Sequence, residues 1–312
     1  MAEARDWMEV TETGRKTLIN RRLRSTEAAY WLALPSGRAE PMEANLEKRS
    51  FEDFLQLEDS LAYIASVDDK ALGGTALHRD HKRLAIGLVS LRSYEQAPSP
   101  ITRHLVKSSL PFFRSASIRE VDAIVGTPES SSFLPFPLGF ELPPWSREIL
   151  GELGFQEKAH LYACKIEGVQ HESRSRNAEV WDKEASIGGA REVIWQTRKA
   201  SGLSTAQSDL AIAMAQKMGT LRTVTKEEET EAFLAIAAWG HLAKVDIFDT
   251  RDSSVFEKYL RAAILSEANA LGADSVLMPL VGSGQKHLVE SLAEVSDGEL
   301  SVRELTLLRR NL

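Results

Sequence analysis

The same order of secondary-structure elements occurs twice along the chain, and this repeat limits the folds open to it. Each half is predicted to contain a strand, two helices, three strands, a helix, a strand, a helix and a strand. This order indicates an α/β (α+β) protein with two tandem domains, each a mixed, mostly antiparallel sheet flanked by helices. In the first half the predicted strands are 6–12, 60–68, 72–79, 83–94, 121–127 and 158–166, and the predicted helices are 15–24, 26–34, 100–116 and 146–153. In the second half the predicted strands are 178–186, 220–226, 231–239, 241–249, 274–279 and 301–309, and the predicted helices are 188–201, 204–218, 253–271 and 285–295. The alanines of 231–239 leave a helix open as an alternative for that segment.

The helix predicted at 253–271 has the clearest pattern in the chain. Its apolar residues recur at the spacing of one helical face, and Gly272 follows as a stop signal. A compact apolar run at 274–279 then indicates a buried strand. The residues of the face are Phe256, Tyr259, Leu260, Ala263, Ile264, Ala268 and Leu271.

The domain boundary is predicted in the polar stretch at 168–177, which has no apolar periodicity. We therefore expect a first domain at 1–168, a linker at 169–177 and a second domain at 178–312. A chain of 312 residues is long enough for two domains. The first half carries extra residues at 37–57 and in the proline-rich 128–144, where surface insertions are tolerated.

Composition excludes several classes of protein. The 38 basic and 45 acidic residues give a net charge of −7, which provides no general attraction to nucleic acid or to an anionic membrane. No apolar run is long enough to span a membrane, and no membrane partner is expected. The single cysteine, Cys164, excludes an internal disulfide, and a cytoplasmic location is predicted.

Two motifs carry a resemblance to a known family. L-G-E-L-G-F at 150–155 is followed by the strand A-H-L-Y-A-C-K-I. This segment is similar to the last part of the family's domain, in which a short helix ends at Gly-Phe and a strand follows. Y-L-R-A-A-I-L-S-E-A-N-A-L-G-A-D-S-V-L at 259–277 is similar to a central helix and the strand after it. With the order of elements, these segments resemble the GCN5-related N-acetyltransferase (GNAT) superfamily, twice in tandem over nearly the whole chain.

The resemblance implies that acetyl-CoA or another acyl-CoA binds where the fourth and fifth strands separate. The pantetheine arm pairs with the fourth strand in the family, and the pyrophosphate lies at the start of the central helix, where backbone N–H groups are exposed. The residues that correspond to this cofactor site are Leu91, Ser93, Gln96, Ser99 and Thr102 in the first half and Arg251, Ser253 and Ser254 in the second.

The chain departs from the family pattern at both phosphate loops. Ser99 and Ser254 stand at the first glycine of the family motif, and Ile101 and Phe256 stand where Gly or Ala is usual. A side chain at these places restricts close approach of the backbone to phosphate. Serine is also a common helix N-cap, so capping alone is the alternative interpretation.

The usual catalytic residues are also replaced. Many family members carry a tyrosine as general acid five residues before the Phe of the Gly-Phe ending, and here that position is Leu150. The reaction also needs a base for the amine proton. Glu95, at the end of the fourth strand, and His78, on the neighbouring strand, are the candidates.

Other features are interpreted as structural. H-R-D-H at 78–81 has residue types of a metal site, but two histidines at this spacing fall on opposite faces of a hairpin, so no metal site is predicted. V-G-S-G-Q-K at 281–286 lacks the spacing of a phosphate loop and is predicted to be a turn between strand and helix. The basic run at 21–24 is predicted to be a solvated helix face. The apolar, proline-rich segment 130–145 is predicted to pack on its own domain or between the two domains, with a lid over the cleft or a contact in a homo-oligomer as alternatives.

These observations lead to two main hypotheses. The first is an acyl-CoA-dependent N-acetyltransferase that acts on a small-molecule or peptide amine, with the first domain active and the second as scaffold. The second is a catalytically degenerate GNAT-like module for binding or assembly. A third, aminoacyl transfer from tRNA, would need a basic groove that the net charge does not indicate.

Overall fold

A computed structural model describes residues 19–35, 44–68, 70–80, 82, 84–95, 97–109, 117–127, 140–169, 181–182, 184–252, 254 and 259–312. Contacts divide the chain into two compact units. Unit 1 contains the described residues up to 127 together with 141–157 and 308–312. Unit 2 contains residue 140 and the described residues from 158 to 307.

Unit 1 is built on a sheet in the order β1-β2-β3-β4-β5. The pairs from β1 to β4 are antiparallel, and β4 pairs with β5 in parallel. Its strands are β1 (Ile19–Arg22), β2 (Ser60–Val67), β3 (Lys70–Asp80), β4 (Ala85–Ser93), β5 (Glu120–Gly126) and the short β6 (Glu141–Leu142), which pairs with β5. Its helices are α1 (Ala28–Leu32), α2 (Ala44–Leu55), α3 (Pro100–Ser109) and α4 (Ser146–Glu152).

Unit 2 repeats this plan. Its sheet has the order β12-β7-β11-β10-β9-β8, and β10 pairs with β11 in parallel. The strands are β7 (Gln156–Glu167), β8 (Leu221–Lys226), β9 (Glu229–Trp239), β10 (Leu242–Thr250), β11 (Ser275–Gly282) and β12 (Glu299–Asn311). The helices are α5 (Ile187–Ser201), α6 (Thr205–Met218), α7 (Arg261–Ala270) and α8 (Lys286–Val295). The predicted fold class, a mixed α/β sheet flanked by helices in each of two copies, is confirmed.

The packed units do not coincide with the predicted halves of the sequence. Residues 158–167 belong to unit 2 because β7 pairs with β11, with Ile166 opposite Val276. Residues 308–312 belong to unit 1, where the Leu312 N–H donates to the Arg119 carbonyl over 2.8 Å. Arg309 also binds the fully buried Asp122 through two hydrogen bonds of 2.7 and 2.8 Å. The predicted linker at 169–177, of which only residue 169 is described, stays a prediction about the sequence repeat.

Most predicted elements are present, and three differ. The predicted helix 15–24 is wrong over 19–22, where β1 pairs with β2, because pairing along a strand edge outweighs a weak local helical pattern. Helix α2 lies inside the predicted insertion 37–57 and is anchored by Phe51 and Phe54, both fully buried. The described residues of the predicted strand 178–186 form no strand, and the predicted strand 6–12 lies outside the described residues.

Each unit has its own buried core. In unit 1, α3 and α4 cover one sheet face through a cluster that includes Leu88, Leu105 and Leu150. On the other face Trp31 stacks on Phe51 at 4.8 Å between ring centroids and lies over Gly74, where a Cβ would be 2.7 Å from the indole ring. In unit 2, β9, β10 and β11 share a core with α7 and α8. Among the described residues, no helix is long and apolar enough to span a membrane.

Candidate active site

In both units the parallel strands are paired over a short stretch and then separate. In unit 1, β4 and β5 are paired only as far as Leu88 and Ala123, although both strands continue. In unit 2, β10 and β11 are paired only as far as Lys244 and Leu277. Each unit therefore has a splayed groove at the end of its parallel pair.

A single-residue bulge lies at the same place in each copy and fixes the correspondence between them. In unit 1, Val89 has no partner on β3, and it lies four residues after Ala85, the first residue paired with β5. In unit 2, Asp246 has no partner on β9, and it lies four residues after Leu242, the first residue paired with β11. Since a bulge marks where a strand bends, both copies turn at the start of the groove.

Three residues beyond the bulge, unit 2 carries a buried carboxyl. Asp249 is 3% exposed. The Thr197 hydroxyl on α5 donates to its Oδ2 over 2.6 Å, and the Thr250 N–H donates to its Oδ1 over 2.8 Å. Burial raises the pKa of Asp249 to about 6, against the opposing effect of hydrogen bonds from Thr197, Thr250, Gln285 and Ser201. The group therefore exchanges a proton near neutral pH.

Gln285 bridges the two sides of the unit 2 groove. Its side-chain amide donates to the Phe248 carbonyl of β10 over 2.8 Å, and its side-chain oxygen accepts the Gly282 N–H of β11 over 2.9 Å. Gln285 is 3% exposed and also contacts Asp249. The carboxamide of Gln285 thus hydrogen-bonds to one backbone N–H and one backbone carbonyl of the groove.

The end of α5 packs closely on the turn after β11. A Cβ at Gly282 would lie 1.9 Å from the Ser201 carbonyl oxygen, and a Cβ at Gly284 would lie 1.9 Å from that of Ala200. Only glycine permits this approach of two backbones. The predicted turn at 281–286 is confirmed, and Gln285 in this turn hydrogen-bonds to Asp249, as Thr197 of α5 does.

Unit 1 carries a cation at the position of Asp249. Arg92 also lies three residues beyond the bulge and is 4% exposed. Its guanidinium donates to the carbonyls of Trp31 and Leu34 over 3.4 and 3.3 Å and lies 5.6 Å from the Trp31 ring centroid. A cation suits this place because the end of α1 presents carbonyl oxygens.

The predicted phosphate residues of unit 1 cap helix α3. Ser99 Oγ accepts the Thr102 N–H over 3.2 Å, and Thr102 Oγ1 accepts the Ser99 N–H over 2.8 Å. This reciprocal pair satisfies donors at the helix start, as the capping alternative expects. Gln96, predicted for the same loop, lies outside the described residues.

The other candidate site residues of unit 1 are Leu91 and Ser93, at the end of β4, and Glu95, just after it. Leu91 is buried in the core, and Ser93 is fully buried, with its Oγ accepting the Glu95 N–H over 3.2 Å. The Glu95 backbone is thus fixed beside the groove, and the residue is half-buried. These three residues lie at or just after the end of β4, and their role in a cofactor or catalytic site stays a prediction.

His78 lies away from this end. It is 1% exposed, and its Nδ1 is 2.9 Å from the Ser60 hydroxyl. It pairs with Gly87 on β4, six residues before Ser93, which is about 20 Å along a strand. The structure therefore does not bring His78 and Glu95 together. His81 is outside the described residues, and none of the groups of acidic, His or Cys residues in the described part could hold a metal ion.

In unit 2 the predicted phosphate residues interact with acidic neighbours. The Arg251 guanidinium pairs with Glu229, and Glu231 lies 3.9 Å away. The Ser254 N–H donates to Asp252 over 2.9 Å, which holds the pKa of that carboxyl below its ordinary value. The α-helical segment of the central helix begins at Arg261, residue 254 and the π-helical turn at 259–260 are the described helical residues before it, and Ser253 is outside the described residues.

Leu150, at the position of the usual tyrosine, is fully buried and has no ionisable group. Burial raises the pKa of the Cys164 thiol to about 12, so this cysteine is not a nucleophile near neutral pH. The groups that sequence reasoning missed are Asp249, Thr197 and Gln285. One signal was a carboxyl in the apolar strand V-D-I-F-D-T at 245–250, but its partners come from elements far away in sequence.

Comparison with known proteins gives the fold its family context. No family model matches the chain, and no curated protein is similar to it in sequence. A candidate acetyltransferase from Pyrococcus horikoshii superposes with a TM-score of 0.63 at 13% identity, covering 98% of this chain and 93% of that one. A tandem GNAT protein from the clavulanic acid biosynthesis pathway gives 0.60 at 10% identity, over 95% and 98% of the two chains. A GCN5-related N-acetyltransferase from Sphaerobacter thermophilus gives 0.57 at 11% identity, over 94% and 95%. The chain therefore has the tandem GNAT fold, as the sequence motifs predict.

Proposed function

We propose that the chain is an acyl-CoA-dependent N-acyltransferase that acts on an amine, and that unit 2 carries the reaction. The observation that supports this most is the buried Asp249 at the splayed end of β10, with a pKa of about 6. A general base is most effective when its pKa lies near the working pH. Unit 1 offers Arg92 at that position, so the proposal differs from the expectation that the first half is active.

The groove of unit 2 also offers suitable contacts for the pantetheine arm. The family resemblance places that arm along the fourth strand, and pantetheine contains amide groups. In unit 2 the Phe248 carbonyl and the Gly282 N–H already bind the carboxamide of Gln285. An arm amide can make the same two hydrogen bonds once Gln285 turns away. Gln285 is therefore proposed to hold the arm's place in the free protein.

The chemistry that acyl-CoA supplies is an acyl thioester. The acceptor nitrogen forms a bond to the acyl carbon, the C–S bond breaks, and the amine proton must reach the sulfur. Asp249, ionised near neutral pH, is proposed to take that proton from the amine and return it as the thiolate leaves. Thr197 and the Thr250 N–H hold the carboxylate oriented for the transfer.

The alternative is a GNAT-like module that binds or assembles without catalysis. The observation that favours it is that residues of both predicted phosphate loops already make hydrogen bonds or ion pairs with other residues of the chain. Ser99 and Thr102 cap α3, and Arg251 is paired with Glu229. A pyrophosphate would have to compete with these contacts.

Titration of the whole chain with acetyl-CoA and with CoA distinguishes the two proposals. We expect calorimetric heat from one equivalent per chain, and CoA release when acetyl-CoA is mixed with a panel of primary amines. No heat and no thermal stabilisation at millimolar CoA would contradict the acyltransferase and leave the binding module as the remaining proposal.

Asp249→Asn tests the assigned base. We expect it to bind acetyl-CoA and to lose at least about 100-fold in turnover, since general base catalysis contributes about 10² to 10⁴. Asp182→Asn is the matched control, because Asp182 also accepts hydrogen bonds from two threonines, here through their hydroxyls and each over 2.7 Å, and lies outside the groove. Equal turnover in the two variants would assign the base elsewhere.

A further inference from the structure

The groove of unit 1 contains a strand of its own chain. Beyond the last pair between β4 and β5, the next two residues of β5 pair in parallel with β6, Ile124 with Glu141 and Val125 with Leu142. The pairing of β6 therefore begins where the pairing of β4 ends.

The distance between β6 and β4 shows on which side of β5 the strand β6 lies. Cα atoms of β6 come within 8 Å of those of β4. Two strands separated by a third lie about 10 Å apart, so β6 cannot be on the far edge of β5. It lies in the space between β4 and β5.

A side chain and the backbone hold β6 in this place. Leu142 is 1% exposed and belongs to the same buried cluster as Leu91 of β4 and Val125 of β5. If β6 left, these apolar side chains would be exposed and the β5 backbone would lose its partners. Pro143 accepts the Ser146 N–H through its carbonyl over 2.9 Å, which ties β6 to the start of α4.

Unit 2 has no equivalent strand in the part of the chain that the structure describes. Beyond Lys244 and Leu277 the side chain of Gln285 spans its groove through hydrogen bonds to Phe248 and Gly282. A side chain leaves by rotation about its own bonds, whereas β6 must break strand pairing. The two grooves therefore differ in what an extended ligand has to displace.

We infer that β6 is a built-in occupant of the unit 1 groove and closes it to any extended, amide-bearing ligand such as the arm of acyl-CoA. Of the two copies of the groove in the chain, the copy in unit 2 is then the one that can open. This inference concerns unit 1 and stands apart from the reaction proposed for unit 2.

Hydrogen exchange on the whole chain, with and without 1 mM acetyl-CoA, tests the inference. We expect the amides of 124–125 and 141–142 to be protected at least 100-fold and to keep that protection when acetyl-CoA is added. Fast exchange in the free chain, or loss of protection on adding acetyl-CoA, would overturn it. Calorimetry must also return no more than one acetyl-CoA per chain, and two sites would overturn it as well.

A pair of variants shows whether the protection comes from β6. Leu142→Ser removes the anchor, and we expect the amides of 124–125 to exchange at least ten times faster than in the wild type. Leu153→Ser, a half-buried leucine of the same unit just after α4, is the control and should leave those amides unchanged. Equal exchange in the two variants would contradict the inference. If no acetyl-CoA binds at all, the proposed function fails while the exchange result still decides the place of β6.

Discussion

Arg92 of unit 1 and Asp249 of unit 2 occupy equivalent positions, three residues beyond the bulge on equivalent strands. Both are almost fully buried, and each hydrogen-bonds to a helix of its own unit. The difference lies in what that helix presents, which is backbone carbonyls to Arg92 and the Thr197 hydroxyl to Asp249. One fold therefore accepts opposite charges at one place when the neighbouring helix supplies matching donors or acceptors.

The largest effect is expected from exchanging the charge in unit 1. Arg92→Asp places a carboxylate against the carbonyl oxygens of Trp31 and Leu34 and leaves a void beside the indole. We expect the free energy of unfolding to fall by at least about 4 kcal/mol. Urea denaturation followed by tryptophan fluorescence measures it. Arg92→Lys keeps the charge and should cost less, and equal midpoints for the two variants would show that the site does not require a cation.

A smaller effect is expected from the pH dependence of unit 2. Asp249 has a pKa of about 6 in the folded chain and an ordinary value of 3.8, so the folded chain binds that proton more tightly. The free energy of unfolding, taken relative to Asp249→Asn, should therefore rise as the pH falls from about 6 to about 4. The rise should be of the order of 3 kcal/mol and should level off outside that window. Urea denaturation of both proteins from pH 4 to pH 8 measures the difference, and a flat difference would mean that Asp249 titrates normally.

The smallest effect is expected at the helix starts. Ser99→Ala removes the cap of α3 in unit 1, and we expect a loss of about 1 kcal/mol. The equivalent change in unit 2, Ser254→Ala, should stay within about 0.5 kcal/mol, because that serine is exposed, its hydrogen-bond partner Asp252 is exposed as well, and the backbone N–H that donates to Asp252 is kept in the variant. Thermal unfolding of both variants checks the contrast. A larger loss for Ser254→Ala would mean that the second copy depends more on its cap.

The order of elements could be predicted from the sequence because it depends on local patterns. The strands at 60–67, 229–239 and 275–282 show dense apolar runs, and Gly219 and Gly272 end helices as expected. The predictions were weaker where long-range pairing decides, as in β1, whose partner is more than 40 residues away in sequence. Residues 158–167 pack in unit 2 and residues 308–312 pack in unit 1. No local sequence pattern predicts this packing, because it also depends on long-range pairing.

The candidate site was predicted only in part. Glu95 and Arg251 follow the ends of β4 and β10, because motif spacing can locate a strand end, and their roles in a site stay predictions. The environment of Asp249 depends on Thr197, which is 52 residues away, and on Gln285, which is 36 residues beyond it in the other direction. Burial and partners at such distances cannot be inferred from spacing. The predicted apolar segment 130–145 is described only from residue 140, so its role stays a prediction.

The placement of residues 308–312 in unit 1 has a consequence for how the protein is made. A ribosome synthesises the chain from its N-terminus, so β5 and the buried Asp122 exist long before Arg309 arrives to bind them. Unit 1 cannot be finished until translation has passed through the whole of unit 2. The nascent chain must therefore keep an incomplete sheet edge until residues 308–312 have been synthesised, and a truncation before Arg309 would damage the unit that was synthesised first.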